Sequence, residues 1–125
     1  MAKLPDAVSR AWEDREGPVI FATVSKKGVP NIIYATCVSK YNEEKLIIAD
    51  NFFDKTRKNI RDGCKGSLLF MTKSGKAFQA KGSLEYHKDG KIFEDMKKWN
   101  PEKLTGHAAA VVKVEEVFSG AEKLL

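Results

Sequence analysis

Cysteine and histidine are scarce in this chain, with two of each among 125 residues. Cys37 and Cys64 are far apart and form no CxxC pair, so two isolated thiols cannot build a structural zinc site. His87 and His107 are not spaced as a ligand pair, and no metal site is expected. No nucleophile elbow or paired-carboxylate signature frames the serines, histidines and acids, so hydrolytic catalysis has no footing and no catalytic residue is assigned. No run of about 18 apolar residues is present, which excludes a helical membrane span. The N-terminus reaches Asp6 before any apolar core builds up, so no secretory signal is expected, and the cytoplasm is the expected location. A disulfide is not expected there. Internal repeats and low-complexity segments are also missing.

Charge is close to balanced. The 22 basic and 17 acidic residues leave a net +5, in a chain that is 42% hydrophobic and 31% charged. That is ordinary for one globular domain spanning residues 1–125. One local basic concentration stands out: Lys55, Arg57, Lys58, Arg61 and Lys65. It reads either as a solvated helix face or as a surface for a small anion. No nucleic-acid motif accompanies it, so nucleic acid is not an expected partner.

The basic cluster belongs to the most informative stretch, KLIIADNFFDKTRKNIR (45–61). Leu46 to Ala49 reads as a buried strand, Asp50–Asn51 as a polar crossing, and Asp54–Lys55–Thr56 as a helix start. The first turn of a helix has free N–H groups at the positive end of its dipole, and Lys55 and Thr56 add further donors. A phosphate can rest there.

The rest of the chain is mostly strands. Residues 5–16 read as an amphipathic helix carrying Val8 and Trp12, stopped by Gly17–Pro18. VIFATV (19–24) is a near-continuous apolar run, expected to be buried on both faces. Ser25–Gly28 is a hairpin turn. PNIIYATCVS (30–39) and residues 45–49 are the next strands. A helix over 54–62 follows, with Asp54 as N-cap and Gly63 as its stop. SLLFMT (67–72) and KAFQAKGSLEY (76–86) are strands, with a bulge or close approach expected at Gly82. A helix over 92–99 places Phe93, Met96 and Trp99 on one face. The last strand is AAAVVKVEEV (108–117). Six strands joined mostly by hairpins, with a helix after the third, describe a closed or partly closed antiparallel barrel.

This order resembles the pyridoxamine 5′-phosphate oxidase-like FMN-binding split-barrel superfamily, and in particular its short stand-alone FMN-binding proteins. The carrying stretches are GPVIFATVSKKGVPNIIYA, KLIIADNFFDKTRKNI, SLLF, KAFQAKGSLEY and AAAVVKVEEV. The resemblance implies a mainly β fold, an antiparallel six-stranded split β-barrel with a few short flanking helices. It implies FMN as cofactor, bound in a homodimer at the subunit interface. Lys55 and Thr56 would hold the phosphate, and Ala49, Asp50 and Asn51 would line the flavin and ribityl side. Tyr34, Ala35 and Thr36 would contact the isoalloxazine. Strand residues near Lys76 to Gln79, Lys76 and Ala77 foremost, would reach the flavin from the second subunit. The larger oxidases carry an Arg–Lys pair where this chain has Lys55–Thr56, together with a C-terminal substrate-binding extension. The implied role is therefore electron transfer or reduction of a small molecule, with a flavin- or deazaflavin-dependent oxidoreductase as the alternative.

Overall fold

The computed structural model describes residues 2–125. The elements follow as α1 (Asp6–Glu13), β1 (Val19–Val24), β2 (Pro30–Ala35), β3 (Val38–Asn42), β4 (Lys45–Ala49) and α2 (Lys55–Arg61). They continue with β5 (Lys65–Met71), β6 (Ala77–His87), α3 (Gly90–Trp99), β7 (Ala109–Ser119) and the short β8 (Glu122–Lys123). The fold is mainly β, and all strand pairs are antiparallel.

The strand order in the sheet is β2-β1-β5-β6-β7-β4-β3, with β8 added beside β7. Its two outer strands, β2 and β3, are consecutive in the chain, with only Thr36 and Cys37 between them. The sheet must therefore curl until its first and last strands nearly meet, which is a barrel split along one seam. That seam explains the difference from the expected six strands. Residues 30–39 were expected as one strand because their β-branched and apolar content is continuous. The chain instead bends at Cys37 and changes neighbours at the seam. Ala35 still pairs with Val19 on β1, whereas Val38 already pairs with Ile48 on β4. β8 is the other addition.

Two apolar layers hold the barrel. Its interior contains Phe21, Leu46, Ile48, Leu68, Phe70 and Val112. Helix α1 plugs it with Val8 and Trp12, whose indole meets Phe70 edge-on at 5.1 Å. On the outer side, α3 lays Ile92 and Met96 onto Ile47, Ala49, Ala109 and Val111. β4 and residues 109–112 of β7 are thus covered on both faces, which is why they read as unbroken apolar runs. β1 differs from its expectation. It alternates, with Val19, Phe21 and Thr23 buried and Ile20, Ala22 and Val24 outward, because no helix covers its outer face.

Gly82 sits where β7 carries one extra residue: Lys81 pairs with Glu116, but Gly82 pairs with Val114. A Cβ on Gly82 would lie 1.7 Å from the carbonyl oxygen of Lys113, so only glycine lets the two backbones approach this closely. On the other side of β7, the N–H of Val114 donates to the carbonyl of Glu44, 3.0 Å away, at the β3–β4 turn.

Candidate functional site

At the seam, the end of β2 and the end of β4 flank a groove of about 250 Å³. One wall is the β2–β3 crossing, from Ile33 to Cys37, and includes Tyr34, Ala35 and Thr36. The other is the exit of β4, with Ala49, Asn51, Phe52 and Phe53. Leu104, from the loop after α3, completes the lining. The fold thus brings Tyr34, Ala35, Thr36, Ala49 and Asn51 together across 13 or more residues of sequence. None of the lining residues carries a formal charge, so the groove suits a flat, neutral, largely apolar group.

The polar residues beside the groove are committed inward. Asp50 is fully buried, and its carboxylate accepts hydrogen bonds from the Phe53 N–H (3.0 Å), Arg57 Nε (2.8 Å), Arg57 Nη2 (3.0 Å) and the Tyr86 hydroxyl. Burial by itself would raise the pKa of Asp50, but the Arg57 guanidinium, the Tyr86 hydroxyl and the Phe53 N–H hold it below the usual aspartate value. Tyr86 is pushed up to about 12, by burial first and then by its bond to Asp50. Arg57 is raised in turn, chiefly by its hydrogen bonds to Asp50. Asp50 therefore clamps the start of α2 to β6, and its oxygens do not face the groove as free ligands.

Asn51 forms a reciprocal amide pair with Asn100 (3.0 and 2.9 Å), and its Oδ1 also accepts from the Gly106 N–H (2.9 Å). This pins the α3–β7 loop, and so Leu104, against the β4 exit. Thr56 is 1% exposed, and its hydroxyl accepts from Asn31 Nδ2 at 2.9 Å. Asn59 on the same helix donates to Thr23 at 3.0 Å, so α2 is stitched to β1 and β2 by side-chain polar bonds. Lys55 is the opposite case. Its side chain is 76% exposed, with only the exposed Asp54 carboxylate 3.9 Å away. Asp54 makes no side-chain cap bond, contrary to expectation. The Asp50 carboxylate accepts from the Phe53 N–H, just before the helix begins.

Lys76 and Ala77 lie away from this groove within one chain. Lys76 lies over the Phe78 ring at 5.4 Å, on the side where α1 meets the β5–β6 turn. Ala77 faces outward beside Met71. That outward face is itself apolar. Tyr34, Ile20 and Leu69 are aligned across β2, β1 and β5, and Ile32, Ala22 and Ser67 form the next row. Ile32, Tyr34, Leu69 and Met71 are all exposed there. Among the described residues, no group of three or more His, Cys, Asp or Glu side chains could hold a metal, and no helix is long and apolar enough to cross a membrane.

Five of the expected site residues, Tyr34, Ala35, Thr36, Ala49 and Asn51, line the groove, and the partners that hold this region were not expected. Tyr86 and Asn100 are 36 and 49 residues from Asp50 and Asn51, and nothing local announces those contacts. Phe52 lay inside the central stretch, and its side-by-side placement with Phe53 was a usable signal.

The family model for pyridoxamine 5′-phosphate oxidase matches residues 4–119, nearly the whole chain. The chain belongs to that family. An uncharacterized protein of Methanocaldococcus jannaschii is 36% identical over 124 residues, covering 95% of this chain and 82% of that protein. Among solved structures, HupZ of Group A Streptococcus is similar with a TM-score of 0.80 at 24% identity, covering 93% of each chain. An FMN-binding protein from Syntrophomonas wolfei has a TM-score of 0.74 at 19% identity, covering 86% of this chain and 80% of that one. These likenesses establish the split-barrel fold.

Proposed function

We propose that this protein is an FMN-binding flavoprotein that works as a homodimer in the cytoplasm, in electron transfer or in reduction of a small molecule. The observation carrying this reading is the seam groove. It is uncharged, it is walled by Tyr34, Ala35, Thr36 and Ala49, and it opens beside α2, which presents the exposed Lys55 ammonium. An apolar slot for a planar ring, followed in the chain by a helix start that carries an exposed cation, matches the chemistry of a ring carrying a phosphate tail. Family membership and the FMN-binding relative support the same cofactor.

In this reading Lys55 neutralises the phosphate as a point charge, while Thr56 contributes its backbone N–H, its hydroxyl being engaged with Asn31. Ala49 and the β2 residues hold the ring, and the neutral walls disfavour added negative charge on it. Bound FMN supplies one- or two-electron exchange. No charged side chain lines the groove, and the protein's contribution in this reading is binding, orientation and exclusion of water. The uncovered face with Ile32, Leu69 and Met71 is where a second copy docks, bringing Lys76 and Ala77 toward the first copy's flavin.

The visible absorbance spectrum of the purified protein, with mass spectrometry of the heat-released chromophore, tests the cofactor. FMN is expected. A deazaflavin would move the assignment to the alternative oxidoreductase, and a colourless protein that takes up no added FMN would remove the reading. Lys55→Ala is expected to weaken FMN about tenfold and leave riboflavin affinity unchanged, since one charge-assisted contact is worth about 1.5 kcal/mol. Equal losses for both ligands would place the phosphate elsewhere.

A further inference from the structure

Phe52 is the most exposed large apolar side chain, at 82%. A phenylalanine left in water forgoes about 2 kcal/mol of burial, so the fold gains nothing by placing it there. Nor is it a loose loop residue. On one side Asn51 is fastened to Asn100 and Gly106 through its amide. On the other, the Phe53 N–H is held by Asp50, and the Phe53 ring is buried 6.2 Å from Phe21. Both neighbours point inward and are fixed, so the backbone between them presents Phe52 outward by construction.

Phe52 is also part of the groove wall, together with Tyr34, itself 76% exposed. The groove's volume of about 250 Å³ falls below the range of roughly 300–1,000 Å³ usual for whole small-molecule sites. It admits one ring system, and the remainder of a ligand must pass the mouth. An aromatic side chain held rigidly at the mouth of a neutral, apolar slot is suited to lie on the face of a flat heteroaromatic ring.

We infer that Phe52 is a flavin-binding residue whose ring packs on the isoalloxazine and shields it from water. This rests on the flavin reading above and assigns a residue that reading does not use. The contact is with the ring and not with the phosphate. Phe52→Leu should therefore weaken FMN and riboflavin alike, by about three- to tenfold for the loss of one aromatic pair.

The test combines titration of both flavins into Phe52→Leu, sedimentation of the same variant, and a proximity readout. For proximity, Phe52→Trp is made in a Tyr34→Phe background, where the new indole quenches flavin emission only on contact. Parallel losses of both flavins, an unchanged oligomeric state and several-fold quenching by the indole are the expected results. Unchanged flavin affinity, a loss confined to FMN, or an indole that leaves the emission of bound flavin as it was would overturn the assignment. A Phe52→Leu protein with altered oligomeric state would make Phe52 an interface residue and overturn it as well. If the native chain takes up neither flavin, the flavin reading fails and this assignment with it. That is distinguishable from failure at Phe52 alone, where native binding is intact.

Discussion

Asp50→Ala tests whether Asp50 is a structural clamp. Its carboxylate is fully buried and takes four hydrogen bonds. Truncation leaves the Phe53 N–H and the Tyr86 hydroxyl without an acceptor, and each such orphan costs about 1–3 kcal/mol. The Arg57 side chain is 30% exposed and can turn to water, which keeps its share to about 1 kcal/mol or less. The sum is about 4 kcal/mol, within the range of roughly 3–5 for breaking a buried pair. With about 2.1 cal/mol/K of unfolding entropy per residue, a chain of 125 residues should lose roughly 15 °C in Tm. Urea unfolding followed by Trp12 fluorescence, without flavin, measures this directly, since Trp12 is buried against Phe70. Asp50→Asn keeps one acceptor and should lose about half as much. A midpoint change worth less than about 1 kcal/mol, combined with a collapse of flavin affinity, would refute the argument and make Asp50 a ligand.

The same clamp sets limits on pH stability. The pKa of Asp50 is depressed in the folded protein, so its stabilisation is present above the unfolded value of about 4 and disappears as pH falls through the lower folded value. Tyr86 acts at the other end. Raised to about 12, it contributes fully below its unfolded value of about 10, and that contribution is gone by about 12. Urea midpoints across pH should fall at both ends, and the acid fall should shrink in Asp50→Asn. Gly82→Ala should cost more than about 3 kcal/mol or prevent folding, because the new Cβ meets the Lys113 carbonyl at 1.7 Å. A well-folded alanine variant with native stability would mean that the β6–β7 approach is looser than described. Leu69→Lys puts a charge in the Tyr34–Ile20–Leu69 row. It should convert the proposed dimer to monomer in sedimentation while keeping the circular dichroism of the fold, whereas a persistent dimer would place the interface on another face.

Much of the architecture was legible from local pattern. β4 and residues 109–112 of β7 have both faces covered, so these residues are apolar without alternation, and the run itself announces a buried strand. Gly82 was readable as a close approach because glycine within a strand has few other uses. Helix α2 was locatable by its basic face and by Gly63 beyond it, and Lys55 stands exposed at its start, where the local sequence places it. These features depend on near neighbours and on the period of the chain.

Decisions between distant residues were not available in that pattern. Whether residues 30–39 make one strand or two depends on which strands they face, and the change of partner at Thr36–Cys37 leaves no mark on composition. The same is true of the outer face of β1. It is as apolar as a buried strand because the matching rows of β2 and β5 are apolar too, and only the absence of a covering helix leaves it open. Asp50, Asn51 and Thr56 look like ligands in sequence because polar residues after a strand are donors and acceptors in reach of a cofactor. The tertiary structure gives those atoms to Arg57 and Tyr86, to Asn100 and to Asn31. A buried polar group is stable only when paired. The chain itself therefore determined which residues could bond, and the folding of β6, α3 and β2 around the seam decided which of them remained free.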